Sequence, residues 1–331
     1  MSNFAIGVDL GGTNLRISAI DDGGRMLETI TTGTEVKRGR DYVIDEMCLA
    51  IKTLSSKFVK TGTLIGVGIG VPGIIDMDSG MLRESPNLPG WHDYPVQAEI
   101  ERRLNSPVIL ENDANAAALG EKWLGAGRNV DSMCMLTLGT GVGGGLVFEG
   151  KPWRGMNGMG GELGHTAAVF PNGHPCGCGS TGCVEQYASA TAIKRMAVEA
   201  IATGEANVLA NAMSNNPEFS AKLIYTLAIQ GDKSAQKIFK TVGEALGVVL
   251  AGLINGLNLP MYVIGGGVCN SWDAFAPPMM EVIKKRSFVY RATSGDGGAA
   301  KKTIVTKAVL GGDAGLLGAA RLAILGGKGG S

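Results

Sequence analysis

The chain has 331 residues, enough for about two domains and a large core. Its 30 basic and 30 acidic residues cancel, so charge gives no reason to expect nucleic acid or an anionic membrane as a partner. The first residues, MSNFAIGVDL, contain no basic segment followed by an apolar core, so we expect a cytoplasmic protein rather than a secreted one.

The first part of the chain predicts three antiparallel strands, then helices alternating with buried strands. The apolar run LIGVGIGVPG is typical of a strand that is covered on both faces of its sheet. A turn-rich stretch at 76–91 predicts a hairpin and a loop. The predicted elements are strands at 4–9, 14–20 and 25–31, a helix at 41–60, a strand at 64–73, a helix at 95–104, a strand at 107–113 and an alanine-rich helix directly after it.

The pattern of strand, glycine turn and strand starts again at 132–151, which indicates two related halves. We predict a small α/β domain at 1–112, completed by a C-terminal helix at about 314–325, a large α/β domain at 113–313, and a disordered tail at 326–331. The later elements are helices at 189–203, 217–230, 233–257 and 273–286, and strands at 261–268 and 304–310.

One uncharged stretch, 246–268, is long enough to cross a membrane. Asn255, Asn258 and Pro260 interrupt it, and its first half has a helical pattern whereas MYVIG is typical of a buried strand. We therefore predict a core helix that leads into a strand.

His165, Cys176, Cys178 and Cys183 form a Cys₃His set in fewer than twenty residues. Tetrahedral zinc is commonly held by such a set, and the intervening glycines permit a tight backbone. The alternative is a disulfide with an uninvolved histidine, but nothing else in the sequence indicates an oxidising compartment. His174 is interpreted as a loop residue, with a role as alternative ligand left open.

Two glycine-rich turns, LGGTN at 10–14 and LGTGVGGG at 138–145, join predicted strands, and IGGGV at 264–268 is a third turn of this kind. Backbone N–H groups of such turns can converge on phosphate oxygens, although ordinary glycine hairpins are the alternative. Asp9 directly precedes the first turn and could hold Mg²⁺. No P-loop motif is present, and neither GxGxxG match opens a helix.

The string ENDANAAALGE places Asn112 and Asp113 at the carboxyl end of a predicted strand, where ligand sites of α/β sheets tend to lie. The alternative for Asp113 is an N-cap of the helix at 114–124.

The Cys₃His segment with its glycines and Glu185, together with DLGGTN, LGTGVGGG and ENDANAAALGE, resembles the ROK family of bacterial sugar kinases and sugar-responsive repressors. The resemblance covers essentially the whole chain. It implies the actin-like ATPase (ribonuclease H-like) fold, with two α/β domains around a nucleotide and sugar cleft and a zinc-binding loop.

The resemblance also implies roles for individual residues. Asp113 would accept the proton of the sugar hydroxyl, and His165 would use one ring nitrogen for zinc and the other for the sugar. The implied sugar-binding residues are Gly73, Asn87, Asn112, Asp113, Glu162, His165 and Glu185. The implied nucleotide-binding residues are Asp9, Gly11, Gly12, Thr13, Asn14, Gly139, Thr140, Gly141, Gly265, Gly266 and Gly267.

An ATP-dependent hexose kinase of carbohydrate metabolism is the resulting expectation, with structural Zn²⁺, Mg²⁺ and ATP. The strings CVEQYAS and PNLPGW resemble glucokinases of the family more than its fructose, N-acetylglucosamine or N-acetylmannosamine kinases. Family repressors carry a DNA-binding segment before the DLGGT strand, which here starts at Phe4, so we expect no nucleic acid. A sugar sensor without turnover would be expected to have lost Asp113 or the phosphate turns. The resemblance favours a homodimer acting in glycolysis and leaves ADP or polyphosphate open as donor.

Overall fold

The computed structural model describes residues 2–204, 206–294 and 302–327. The strands are β1 (Ser2–Leu10), β2 (Asn14–Asp21), β3 (Met26–Gly33), β4 (Gly62–Val71), β5 (Ile74–Asp76), β6 (Met81–Glu84), β7 (Val108–Asn112), β8 (Met133–Leu138), β9 (Val142–Phe148), β10 (Lys151–Pro152), β11 (Met261–Gly265) and β12 (Ile304–Lys307). The helices are α1 (Arg40–Phe58), α2 (Val96–Leu104), α3 (Asp113–Leu124), α4 (Glu185–Ala188), α5 (Ala190–Ala202), α6 (Asn207–Asn215), α7 (Ala221–Ile229), α8 (Lys233–Leu257), α9 (Trp272–Arg286), α10 (Phe288–Ser294) and α11 (Ala314–Gly327).

The first sheet has the strand order β3-β2-β1-β4-β7. β1, β2 and β3 are antiparallel neighbours, as the sequence predicts, whereas β4 and β7 run parallel to β1. In this register Asp9 lies opposite Gly70, and Val71 lies opposite Asn112. The carboxyl ends of β1, β4 and β7 therefore meet at one edge of the sheet.

The second sheet, β10-β9-β8-β11-β12, has the same pattern of antiparallel neighbours followed by parallel ones. β9 and β10 are antiparallel, and β11 runs parallel to both β8 and β12. Two sheets built to one plan confirm the two related halves that the repeated hairpin pattern indicates.

The chain divides into two compact units. Of the described residues, unit 1 comprises 2–133, 145–161 and 309–327, and unit 2 comprises 134–144, 162–204, 206–294 and 302–308. The first boundary thus falls after Met133 rather than after residue 112. The reason is that α3 packs against α11 in unit 1, where buried residues of α11 such as Leu316 and Ile324 form one cluster with Ala5 of β1.

α8 is the one helix of the described residues whose length and composition would suffice for a membrane span. Most of its apolar window is buried, α9 packs along it, and β11 follows after a short turn. The predicted core helix leading into a strand is confirmed, with the helix bounds as predicted.

Several smaller predictions differ from the structure. α6 and α10 were not predicted, and α7 is shorter than the predicted helix at 217–230. Gly326, predicted to be disordered, lies in the last turn of α11, where a Cβ would be 2.6 Å from the Ile109 side chain. The part of the predicted tail at 328–331 lies outside the described residues.

Candidate active site and metal centre

Asn112 and Asp113 lie where β7 ends and α3 begins. Asn112 is the N-cap of α3: its Oδ1 accepts hydrogen bonds from the backbone N–H groups of Ala114 (2.9 Å) and Asn115 (3.2 Å). Its Nδ2 donates to the carbonyl of Gly73 at 3.1 Å. The interpretation of Asp113 as the cap is therefore wrong, because the cap position is one residue earlier. Asp113 is the first residue of the helix, and its Oδ1 accepts from Ala114 at 2.9 Å.

The turn at 10–14 lies at the same edge of the first sheet. Gly11 N–H donates to the Asn14 carbonyl at 2.9 Å, which closes the turn. A Cβ at Gly12 would lie 2.8 Å from the Asn87 carbonyl oxygen, so only glycine permits this close approach. Unit 1 therefore brings the first glycine turn, Asn87, Gly73 and the end of β7 to one edge of its sheet.

Asp9 is half-buried at the end of β1. A Cβ at Gly315, in the first turn of α11, would lie 3.2–3.4 Å from all three atoms of the Asp9 carboxyl group. Burial raises the pKa of Asp9, and the neighbouring Arg16 guanidinium acts in the opposite direction. Arg16 itself donates to Asp313 Oδ1 (2.6 Å) and to the Gly312 carbonyl (2.5 Å). The N-terminus of α11 favours the ionised form of this carboxylate, and carboxylate oxygens are ligands that Mg²⁺ accepts.

The other two glycine turns lie side by side in unit 2. The turn at 139–141 is closed by a 2.9 Å hydrogen bond from Gly139 N–H to the Gly141 carbonyl. The start of α5 supports it, since Ala190 N–H donates to the Gly139 carbonyl at 2.8 Å. Gly265 pairs with the end of β8, which brings the turn at 265–267 next to this one. Two predicted phosphate-binding turns therefore share one edge of the second sheet.

The four predicted zinc ligands converge in unit 2: His165, Cys176, Cys178 and Cys183 have donor atoms that all lie within 4.8 Å of one another. His165 Nδ1 is 3.6 Å from Cys176 Sγ, and the Sγ atoms of Cys178 and Cys183 are 3.7 Å apart. A tetrahedral site with Zn–S bonds of about 2.3 Å places sulfur atoms ~3.8 Å apart, so the donor set fits Zn²⁺.

The backbone around these ligands is tightly folded. Gly182 has φ 76°, and a Cβ there would lie 2.0 Å from the Val169 carbonyl oxygen, so this position requires glycine. Burial raises the pKa of the Cys183 thiol to about 12, whereas a backbone hydrogen bond from Ser180 lowers the pKa of Cys178. A bound Zn²⁺ would displace the thiol protons.

Glu162 and Glu185 flank this centre. His165 Nδ1 faces the sulfur atoms, whereas its Nε2 lies 4.0 Å from Glu162 Oε2. Glu185 Oε2 accepts from the backbone N–H of Val142 at 3.0 Å, which connects the metal loop to the hairpin β8–β9. Burial raises the pKa of Glu162; the nearby His165 lowers it, and Glu185 raises it further. One imidazole nitrogen and two carboxylates thus form a polar group beside the predicted metal.

His174 lies outside the four-residue donor set, in agreement with its interpretation as a loop residue. Its Nδ1 is 2.9 Å from the Pro175 carbonyl, and its Nε2 is 3.9 Å from Glu199.

The remaining three cysteines, Cys48, Cys134 and Cys269, are buried. Burial raises the pKa of Cys134 and of Cys269 to about 12 each, so both thiols stay protonated at neutral pH.

Sequence reasoning missed an ion pair in the strand that ends at Asn112. Glu111 is buried in β7 and forms an ion pair with Arg154. A glutamate inside the apolar strand PVILEN is the signal that could have identified it, since a buried carboxylate requires a partner.

The sheet order of both halves, with glycine turns at the strand ends, defines an actin-like ATPase fold. The family model that matches the chain is described as "ROK family" and spans residues 5–325. The chain belongs to the ROK family.

Similar proteins agree with this assignment. A glucokinase from Thermotoga maritima is 40% identical, covering 84% of this chain and 86% of its own. A glucokinase from Halalkalibacterium halodurans is 37% identical, with 95% and 92% covered. The crystal structure of a ROK family glucokinase from Streptomyces griseus, in complex with glucose and AMPPNP, is 35% identical; it superposes with a TM-score of 0.79 and covers 97% of this chain and 99% of that one.

Proposed function

We propose that the protein transfers the γ-phosphate of Mg-ATP to the 6-hydroxyl of a hexose, with D-glucose as the preferred acceptor. The observation that carries this proposal is the pair at the end of β7. Asn112 is held by α3 and Gly73, and Asp113 follows it at the first position of the helix. A carboxylate held at the carboxyl end of a parallel strand is suited to accept a proton from a positioned hydroxyl.

The sugar would be recognised through its hydroxyl groups. Glu162, His165 Nε2 and Glu185 offer two carboxylates and an imidazole nitrogen for the hydroxyls near C1 and C2. A site that pairs each hydroxyl rejects analogues strongly, because an unpaired buried polar group is costly. Asn87, Asn112 and the main chain at Gly73 would bind the remaining hydroxyls. This set and the similarity to glucokinases favour glucose.

The phosphates would be bound by backbone N–H groups of the turns at 10–14, 139–141 and 265–267. Asp9 would hold Mg²⁺ directly or through water. Phosphoryl transfer passes through a loose transition state, so catalysis depends mainly on positioning and on charge stabilisation. Zn²⁺, when bound by the Cys₃His set, would stabilise the loop that carries Glu162 and Glu185. A cytoplasmic location stays a prediction from the N-terminal sequence, and a homodimer and a place in glycolysis stay predictions from the family resemblance.

Asp113→Asn tests the proposal. Asparagine keeps the size of the side chain and its hydrogen bond at the helix start but is not a base. Positioned general bases contribute 10²–10⁴-fold, so kcat with glucose should fall by at least ~10²-fold. Glucose affinity by calorimetry should stay within a few-fold of the wild-type value.

The matched control is Asp232→Asn, the same change at the N-cap of α8, where Asp232 accepts from Ala235 N–H at 2.8 Å. It should keep wild-type turnover. Near wild-type turnover in Asp113→Asn, with only a lowered melting temperature, would show that Asp113 has a structural role alone.

A further inference from the structure

A buried ion pair in unit 1 joins the segment after β10 to the end of β7. Glu111 is 1% exposed, and its Oε2 lies 2.7 Å from Nε of Arg154, which is 34% exposed. A carboxylate taken out of water is unfavourable unless it is paired and hydrogen-bonded. An apolar residue would be more stable in the interior of β7, so the buried position of Glu111 requires a structural or functional reason.

The other carboxylate oxygen is bonded to the residues around the proposed base. Glu111 Oε1 accepts from the backbone N–H of Asn112 at 3.1 Å and from Asn115 Nδ2 at 3.2 Å. Asn112 directly precedes Asp113, and Asn115 lies in the first turn of α3. Glu111 therefore hydrogen-bonds to residues on both sides of Asp113 in the sequence, Asn112 before it and Asn115 after it.

Arg154 opens a compact loop at 154–160. The loop is closed by a 2.8 Å hydrogen bond from Gly160 N–H to the Arg154 carbonyl. A Cβ at Gly158 would lie 2.5 Å from the Ile75 carbonyl oxygen, so the loop packs closely on β5, which follows Gly73. After Gly161 the chain continues into Glu162. The loop at 154–160 packs on the segment after Gly73 and leads to Glu162. The ion pair with Glu111 fixes this loop at its first residue, Arg154.

We propose that the Glu111–Arg154 ion pair is a positioning device for sugar binding: it sets the loop that leads to Glu162 against the strand end that carries Asn112 and Asp113. In this proposal neither Glu111 nor Arg154 contacts the substrate. The inference rests on the proposed hexose kinase activity, since Glu162, Asn112 and Asp113 are sugar-binding residues only within that proposal.

The test is steady-state kinetics on Arg154→Gln, Glu111→Gln and the double variant. Misplacement of a binding group by about 1 Å can cost up to ~10²-fold, so each single variant should raise KM for glucose by ~10- to ~10²-fold. KM for ATP should stay within about twofold, because the glycine turns do not depend on this pair. The double variant, which leaves no unpaired buried charge, should fold and still show the raised KM.

Two further variants separate positioning from stability. Arg83→Gln is the matched control: Arg83 lines the same cavity as Arg154 and pairs with Asp76 and Asp93, so it should change melting temperature only. Arg154→Lys can still pair with Glu111 and should restore KM for glucose to within about threefold of wild type.

An unchanged KM for glucose in the double variant, or an equal rise in Arg83→Gln, would overturn the positioning role while the kinase proposal stands. A wild-type protein that turns over no hexose would overturn the kinase proposal and this inference with it.

Discussion

Acidic residues of this protein differ in how far their carboxylate groups are buried. Glu111 and Glu121 are buried and accept several hydrogen bonds, whereas Asp9, Glu162 and Glu185 keep contact with solvent. Buried, fully bonded carboxylates stabilise local structure, and partly exposed ones can receive a ligand. The sequence could identify the partly exposed residues, because Asp9, Glu162 and Glu185 lie close to glycine turns or metal ligands in the sequence.

The pH dependence of nucleotide binding tests Asp9. Mg²⁺ requires the ionised carboxylate, and burial raises its pKa, so kcat/KM for Mg-ATP should fall with decreasing pH at a higher pH than an ordinary aspartate would give. Arg16→Gln removes the charge that lowers this pKa and should move the acidic limb to still higher pH.

Arg25→Gln is the control for that series, since Arg25 is 79% exposed and pairs with Asp21. Its pH profile should match the wild type. If the acidic limb of the pH profile lay at the same pH in Arg16→Gln as in the wild type, the result would contradict the role of Asp9 in Mg²⁺ binding.

Glu121 offers a stability test. Its side chain accepts from the backbone N–H groups of Ala126 (2.8 Å), Val309 (3.0 Å) and Leu310 (2.8 Å). Glu121→Gln turns one acceptor into an NH₂ group that faces a donor, so the free energy of unfolding should fall by about 2–3 kcal/mol in denaturant titrations. Glu46→Gln, on the exposed face of α1, should change it by less than about 0.5 kcal/mol.

Residues in such contacts were not predictable from the sequence. Val309 follows Glu121 by 188 positions, and Arg154 follows Glu111 by 43. No periodicity or motif encodes such pairs. Asn112 and Asp113 were predictable as a pair, but the alternative role of helix cap was given to Asp113 rather than to Asn112, because both side chains can cap a helix.

At the level of elements, long periodic segments were predictable and short ones were not. α8 has the predicted bounds because twenty-five residues carry a continuous apolar face. α6 and α10 have only nine and seven residues, too few for a helical period to stand out. The metal loop was predictable because its ligands and glycines are close in sequence.

The metal loop is tested by metal analysis of purified protein, which should return about one zinc per chain. Cys178→Ser removes one ligand and should lose both the zinc and most of the glucose affinity, because Glu162 and Glu185 depend on the loop for position. His174→Gln changes a histidine of the same loop outside the donor set and should keep both. Full activity in a metal-free protein would contradict the structural role of zinc.

At the level of the whole molecule, the repeated hairpin pattern was enough to predict two related halves. The unit boundary was not predictable, because α3 belongs to unit 1 through packing on α11, an element about 200 residues further along. The glycine turns and strand ends of both sheets follow one plan, which is why motifs distributed over the whole chain could indicate a single activity.

The most direct test of the central claim is kcat/KM with Mg-ATP across a panel of hexoses, with ADP release coupled to product identification. The panel contains glucose, mannose, glucosamine, fructose, N-acetylglucosamine and N-acetylmannosamine. Glucose should give the highest value, with glucose 6-phosphate and ADP formed in equal amounts and mannose or glucosamine weaker. A higher value for fructose or an N-acetylated hexosamine would show that glucose is the wrong acceptor. ATP turnover that no hexose accelerates would contradict the account as a whole.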